Sequence, residues 1–214
     1  MKKEWTGYGG ILALVVFLLA LFPARGTADT AGVQSFTNPI VWPNNDNEDF
    51  SLGFEFSVTG SATVLDLGYN YFSVPLNESH QVGIYDSTGT LLGSVTVTNS
   101  STVDNGYLYT ALSTPLTLSA GDYWIAGTTL GLNDGWIYQA SNIVTAPGIS
   151  YVDSWFTNGN GGMLSFPTTD TGGARQYLPV NFLLSSASVP EPSSIMLMAT
   201  AVAGLALLVR HRLA

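Results

Sequence analysis

The sequence has no cysteine in 214 residues, so no disulfide can staple the fold and no thiolate can act as nucleophile or metal ligand. Basic side chains are almost as scarce. Of the six Lys and Arg, Lys2, Lys3, Arg25, Arg210 and Arg212 lie near the two ends, which leaves Arg175 alone in the body between them. The 15 acidic residues are distributed the other way, since all but Glu4 and Glu191 fall in that body. Such a surface repels phosphate backbones, whose binding relies on Lys and Arg releasing counterions, so nucleic acid is excluded as a partner. An anionic polysaccharide is repelled too unless a divalent cation bridges the two, whereas neutral glycans meet no such barrier.

Catalytic residue types are thinly spread. His80 is the only histidine of the body, the body has no lysine, and no Gly-x-Ser-x-Gly elbow, His-Glu-x-x-His helix or glycine-rich phosphate loop occurs. His80, two residues after Glu78, reads as a solvated turn histidine at the head of a strand. The chain therefore reads as a non-enzyme that carries no cofactor. Capped helical periodicity is also missing outside the two ends.

Those ends carry the strongest patterns. Near the C-terminus, Val189-Pro190-Glu191-Pro192 is followed by Ser193-Ser194, fifteen uncharged residues at 195–209, and Arg210-His211-Arg212. The prolines hold the peptide extended around Glu191, in the form a protease cleft accepts. Ser193 or Ser194 can cap a helix over the apolar run. Fifteen helical residues reach about 22 Å against a hydrocarbon core of about 30 Å, so flanking residues or snorkelling arginines must complete the span. Arg210 and Arg212 act as the basic membrane stop and stay cytoplasmic, which places everything before Pro190 across the membrane. At the other end Lys2 and Lys3 precede an uncharged stretch at 11–22, and Gly26-Thr27-Ala28 supplies small residues at a signal-peptidase site. The expected organisation is a signal peptide with its helix at 1–28, an extracellular domain at 29–188 and a sorting segment at 189–214, whose membrane helix covers 193–209 and whose basic tail is 210–214.

The C-terminal arrangement resembles the PEP-CTERM sorting signal of Gram-negative bacteria that make extracellular polysaccharide. The resemblance implies that exosortase, a membrane transpeptidase-like enzyme, reads Pro190-Glu191-Pro192 and removes the helix and tail. It implies a precursor anchored in the inner membrane through its C-terminal helix, then delivered to the cell surface or to the extracellular matrix of a biofilm.

The body reads as strands and turns. Leu65, Leu67, Tyr69 and Tyr71 alternate with Val64, Asp66, Gly68 and Asn70, the period of two that sends one set inward. Val82 and Ile84, the turn formers Asp86-Ser87-Thr88-Gly89, and Leu91, Gly93, Val95 and Val97 make a hairpin. Further strands are expected at 50–58, 106–112, 122–129, 136–140 and 176–184. Leu118-Ser119-Ala120-Gly121-Asp122-Tyr123 has the spacing of a tyrosine corner, in which the hydroxyl folds back on the preceding connection of a Greek-key arch. The fold class is all-β, an antiparallel Greek-key or jelly-roll-like sandwich. The segments 82–92, 116–127 and 166–182 resemble a secreted bacterial sandwich module found in surface proteins, similar in fold to carbohydrate-binding domains.

Two ligand sites are expected within the body. The run Asn44-Asn45-Asp46-Asn47-Glu48-Asp49 is dense in oxygen ligands, and Asp46, Glu48 and Asp49 are the candidate calcium ligands. Trp155, Trp136 and Trp42 are the candidate stacking surfaces for sugar rings, with Trp155 placed in a polar, glycine-rich loop at 153–162 where function concentrates. The expected function is an exported, non-enzymatic surface or matrix protein that meets signal peptidase and exosortase during export and binds exopolysaccharide. The alternatives are a surface-anchored glycan-active hydrolase and an ice-binding protein, the latter raised by the resemblance of the tail to those of ice-binding proteins, although Thr96-Val97-Thr98 is a single Thr-x-Thr without the repeats that build a flat face.

Overall fold

The computed structural model describes residues 29–42, 49–71, 75–129, 134–159, 161–173 and 176–185, with Trp42 described by its backbone alone. The expected signal helix, the sorting motif Val189, Pro190, Glu191 and Pro192 with its membrane helix, the stops Arg210 and Arg212, and the calcium candidates Asp46 and Glu48 lie outside the described residues. Every regular element among the described residues is a strand, and no helix there is long and apolar enough to cross a membrane.

The strands in order are β1 (Thr30–Ala31), β2 (Val33–Thr37), β3 (Ile40–Trp42), β4 (Phe50–Asn70), β5 (His80–Asp86), β6 (Leu91–Val97) and β7 (Thr102–Asp104). They continue as β8 (Tyr107–Thr129), β9 (Trp136–Tyr138), β10 (Ser141–Thr145), β11 (Ile149–Asn158), β12 (Thr169–Asp170) and β13 (Val180–Leu184). All pairings are antiparallel, with β10 on β2 and β9 on β3 as two small ribbons beside the main sheet.

The architecture turns on β4 and β8, which are 21 and 23 residues long where about 5–6 is usual. They pair along nearly their whole length, but the register shifts between Val58 and Ser61 and again between Val64 and Asp66. At the first shift Gly60 has φ 113°, and a side chain there would meet nothing, so glycine serves the backbone conformation alone. The bent pair thereby enters two layers. The first half of β4 and the second half of β8 join β12, β11, β5 and β6, while their other halves join β1, β13 and β7.

The layers pack face to face. Phe56 from the first meets Phe182 from the second at 4.7 Å between ring centres. Gly127 is small for a reason, since a Cβ there would stand 2.6 Å from Val180 and 3.3 Å from Tyr69 of the facing layer. Phe54, Phe56, Val58, Val82, Ile84 and Ile125 meet Leu67, Tyr69, Leu108, Val180 and Phe182 in one core. This is the all-β, jelly-roll-like sandwich that the alternation predicts.

Local expectations meet the structure unevenly. The β5–β6 hairpin forms with Asp86 Oδ1 accepting from the Thr88 and Thr90 amides at 2.9 and 3.0 Å. Tyr123 Oη donates to the Ser119 carbonyl at 3.1 Å, so the tyrosine corner is present. The alternation at 64–71 needs correction, because the bulge after Val64 reverses the parity. Val64 is fully buried and Leu65 is only half-buried, opposite to the simple period. The stretch 153–162 is also not a loop throughout, since β11 carries Trp155 within a ladder along β4.

Candidate functional site

On the outer side of the first layer the register aligns Asp153, Glu55, Trp124 and Tyr85 in a row across β11, β4, β8 and β5. The adjoining row is Trp155, Gly53, Ala126 and Gly83. Its small residues leave a furrow, and the segment 163–168 lies in it. A Cβ on Gly83 would stand 2.8 Å from Leu164, Ser165 N donates to Ser51 Oγ at 2.9 Å, and Phe166 packs edge-on against Trp124 and Tyr85 at 5.5 and 5.7 Å. Trp124 is thus covered, whereas Trp155, Glu55, Asp153 and Asp122 keep exposed surface beside the segment.

Trp155 is held in a defined pose there. Its Nε1 donates to Glu55 Oε2 at 3.0 Å, and its ring meets Trp124 at 5.8 Å and 83°. Burial raises the Glu55 carboxyl above its ordinary range, the bond from Trp155 opposes this, and the charges of Asp122, Asp170 and Asp153 add to the rise. The aspartates are fixed by local donors. Ser57 Oγ donates to Asp122 at 2.6 Å, Ser154 N to Asp153 at 2.6 Å, and Gly172 N to Asp170 at 2.7 Å. Chemically the patch offers an aromatic surface ringed by hydrogen-bond acceptors of one charge sign.

A second constellation lies inside the molecule. His80 is fully buried, stacked on Tyr69 with ring centres 3.7 Å apart and planes within 1°. This corrects the expectation of a solvated turn histidine. The ring closes the core, because β5 begins at His80, two residues earlier than the apolar pattern at Val82 suggests. Its Nδ1 contacts the Thr128 carbonyl at 2.6 Å, an acceptor, so Nδ1 carries a proton. Nε2 faces Asp134 Oδ2 at 3.1 Å, a contact that needs one proton between the two atoms. Asp134 also accepts from the amides of Asn77 at 2.9 Å and Glu78 at 3.1 Å and from Asn77 Nδ2 at 3.0 Å. Burial works to raise its carboxyl, but the bonds from His80, Asn77 and Glu78 outweigh it and leave Asp134 below the ordinary range.

The expected ligand residues separate. Trp155 lies on the open face, although on a strand. Trp136 is 5% exposed and packs edge-on against Phe50 at 6.1 Å, so it lines a core cluster and offers no face to a sugar. Trp42 pairs through its backbone with Trp136. Of the calcium candidates only Asp49 is described, with its carbonyl accepting from Gly159 N at 3.1 Å. Glu55 and Asp134 have no mark in the sequence: their partners Trp155 and His80 lie 100 and 54 residues away. For Glu55 the one available hint was its place among the outward residues of a strand whose inward set is Phe54, Phe56 and Val58.

The PEP-CTERM protein-sorting motif is matched by residues 188–212, so the chain is an exported protein made as a membrane-anchored precursor, with exosortase as its processing partner. No curated protein matches the chain. A family model described as a domain of unknown function, DUF4082, matches residues 37–178, from the end of β2 to the approach to β13, and the chain belongs to that DUF4082 family.

Proposed function

We propose that the exported chain is a non-enzymatic protein of the cell surface or extracellular matrix that holds neutral polysaccharide on the outer face of its first layer, with Trp155 as the stacking surface. The observation that carries this reading is the pose of Trp155, whose ring is braced by Trp124 and by a bond to Glu55, which is itself flanked by the carboxylates of Asp153 and Asp122. Sugar rings present apolar C–H faces to an indole and hydroxyl donors to carboxylates, so this combination suits them. The absence of lysine and arginine among the described residues disfavours anionic polymers. Retention of the full-length chain, in detergent, on neutral polysaccharide beads tests it. Retention should resist chelator and fall at least tenfold in Trp155→Ala with the circular dichroism spectrum unchanged. Retention that depends on calcium, or that ignores Trp155→Ala, overturns it.

The same carboxylates carry the rival reading of a glycan hydrolase, because a Glu held above its ordinary range beside Asp153 has the setting of a general acid. Two features favour binding. Glu55 already accepts the indole proton of Trp155, and the neighbouring depression, lined by Gln81, Leu91, Ser94, Val95, Thr96 and Leu164, contains no carboxylate. Release of reducing sugar that disappears in Glu55→Gln would reverse the assignment.

A further inference from the structure

We propose that Glu78, His80 and Asp134 form a zinc site at the end of the sandwich, with the metal taking the place of the proton shared by His80 and Asp134. The ligand atoms of the three residues lie within 4.8 Å of one another. Zinc bonds to imidazole nitrogen and carboxylate oxygen are about 2.0–2.2 Å, which at a tetrahedral angle separates two ligand atoms by about 3.3–3.5 Å. The His80 Nε2 to Asp134 Oδ2 distance of 3.1 Å therefore needs to open only by a few tenths of an ångström.

Both inner ligands already have the outer contacts that metal ligands use. His80 anchors its other ring nitrogen on the Thr128 carbonyl, which leaves Nε2 as the atom for the metal. Asp134 is oriented by the amides of Asn77 and Glu78. These are the supports that fix the tautomer of a metal-binding histidine and the direction of a carboxylate. Glu78 is half-buried, so it reaches the pair from the solvent side and marks the route by which a metal enters.

A second observation points to a ligand independently. The Tyr69 hydroxyl is fully buried with no hydrogen-bond partner among the described residues, on the ring stacked against His80. Three protein ligands leave zinc a fourth position, and a water there gives Tyr69 the partner it lacks. Nearby, Asn70 Oδ1 is also buried and unpartnered, while Asn70 Nδ2 binds the Gly135 carbonyl next to Asp134. Calcium is the poorer fit, because it takes oxygen ligands and the central donor here is an imidazole nitrogen.

The test is a zinc titration of the chelator-treated full-length chain in detergent, followed by calorimetry and thermal unfolding. One zinc per chain should bind, and the unfolding midpoint should climb as zinc rises above its dissociation constant. Cobalt should give the visible bands of a four-coordinate site. Glu78→Gln keeps the buried His80–Asp134 contact and should weaken zinc by about tenfold or more, read against that variant's own zinc-free midpoint. His80→Gln should abolish the cobalt bands. A folded protein whose midpoint and cobalt spectrum ignore the metals overturns the proposal. Zinc bound equally well by Glu78→Gln also overturns it, since the metal would then sit elsewhere, for instance on His211.

Discussion

At Glu55 two effects oppose each other, and their balance sets a pH dependence. The indole proton of Trp155 favours the carboxylate, but burial and three neighbouring aspartates disfavour it more, so the folded state binds a proton more tightly than the unfolded chain does. A carboxyl raised in this way contributes stability fully below its unfolded pKa and loses that contribution as pH rises through its folded pKa. Gln can still accept from Trp155 and carries no charge. Glu55→Gln should therefore be more stable than the parent at neutral pH, with the gap closing as both are acidified through the carboxylate range. Urea midpoints of the two proteins from pH 7 downward check this, and a gap that does not vary with pH would refute it. At the same scale, His80 shows what residue type alone conveys. A lone histidine near a strand start is usually wet, but here Tyr69 and Thr128 from other strands enclose it.

Among the elements, the bend in β8 is the most informative. Its two halves serve different layers, and the Tyr123 hydroxyl spans the bend to the Ser119 carbonyl. That bond is exposed, so water replaces it when it is lost and no buried group is stranded. Tyr123→Phe should therefore cost about 0.5 kcal/mol, the low end for a hydrogen bond, measurable as a small drop in urea midpoint. A loss several times larger would mean that the bond holds the bend itself. The corner and the β5–β6 hairpin were legible in the sequence because each is built from one continuous stretch, 118–123 and 80–97. The continuity of 50–58 with 64–70 was not. The expected strand ends at Val58 and the next alternation starts at Val64, and only pairing with β8 on both sides of Gly60 makes one bent strand of them.

For the whole molecule, the sorting motif at 188–212 makes processing the property to measure. Glu191→Ala should leave a membrane-bound chain that retains its tail, while the parent loses residues 195–214. Intact mass and membrane fractionation of both separate the outcomes, and identical behaviour with the tail present would sink the exosortase assignment. What the sequence determined unaided is what local order encodes: the sorting address, the all-β class from its period of two, the acidic body, the hairpin and the tyrosine corner. The tertiary structure alone decided which strand halves share a layer, that Trp155 stands on a ladder instead of a loop, and that Trp136 is interior. It alone brought Glu55 to Trp155 and Asp134 to His80. These pairings join residues 100 and 54 positions apart; the first follows from the register of β11 on β4 and the second from the placement of β5 beside β8, which no local pattern of side chains specifies.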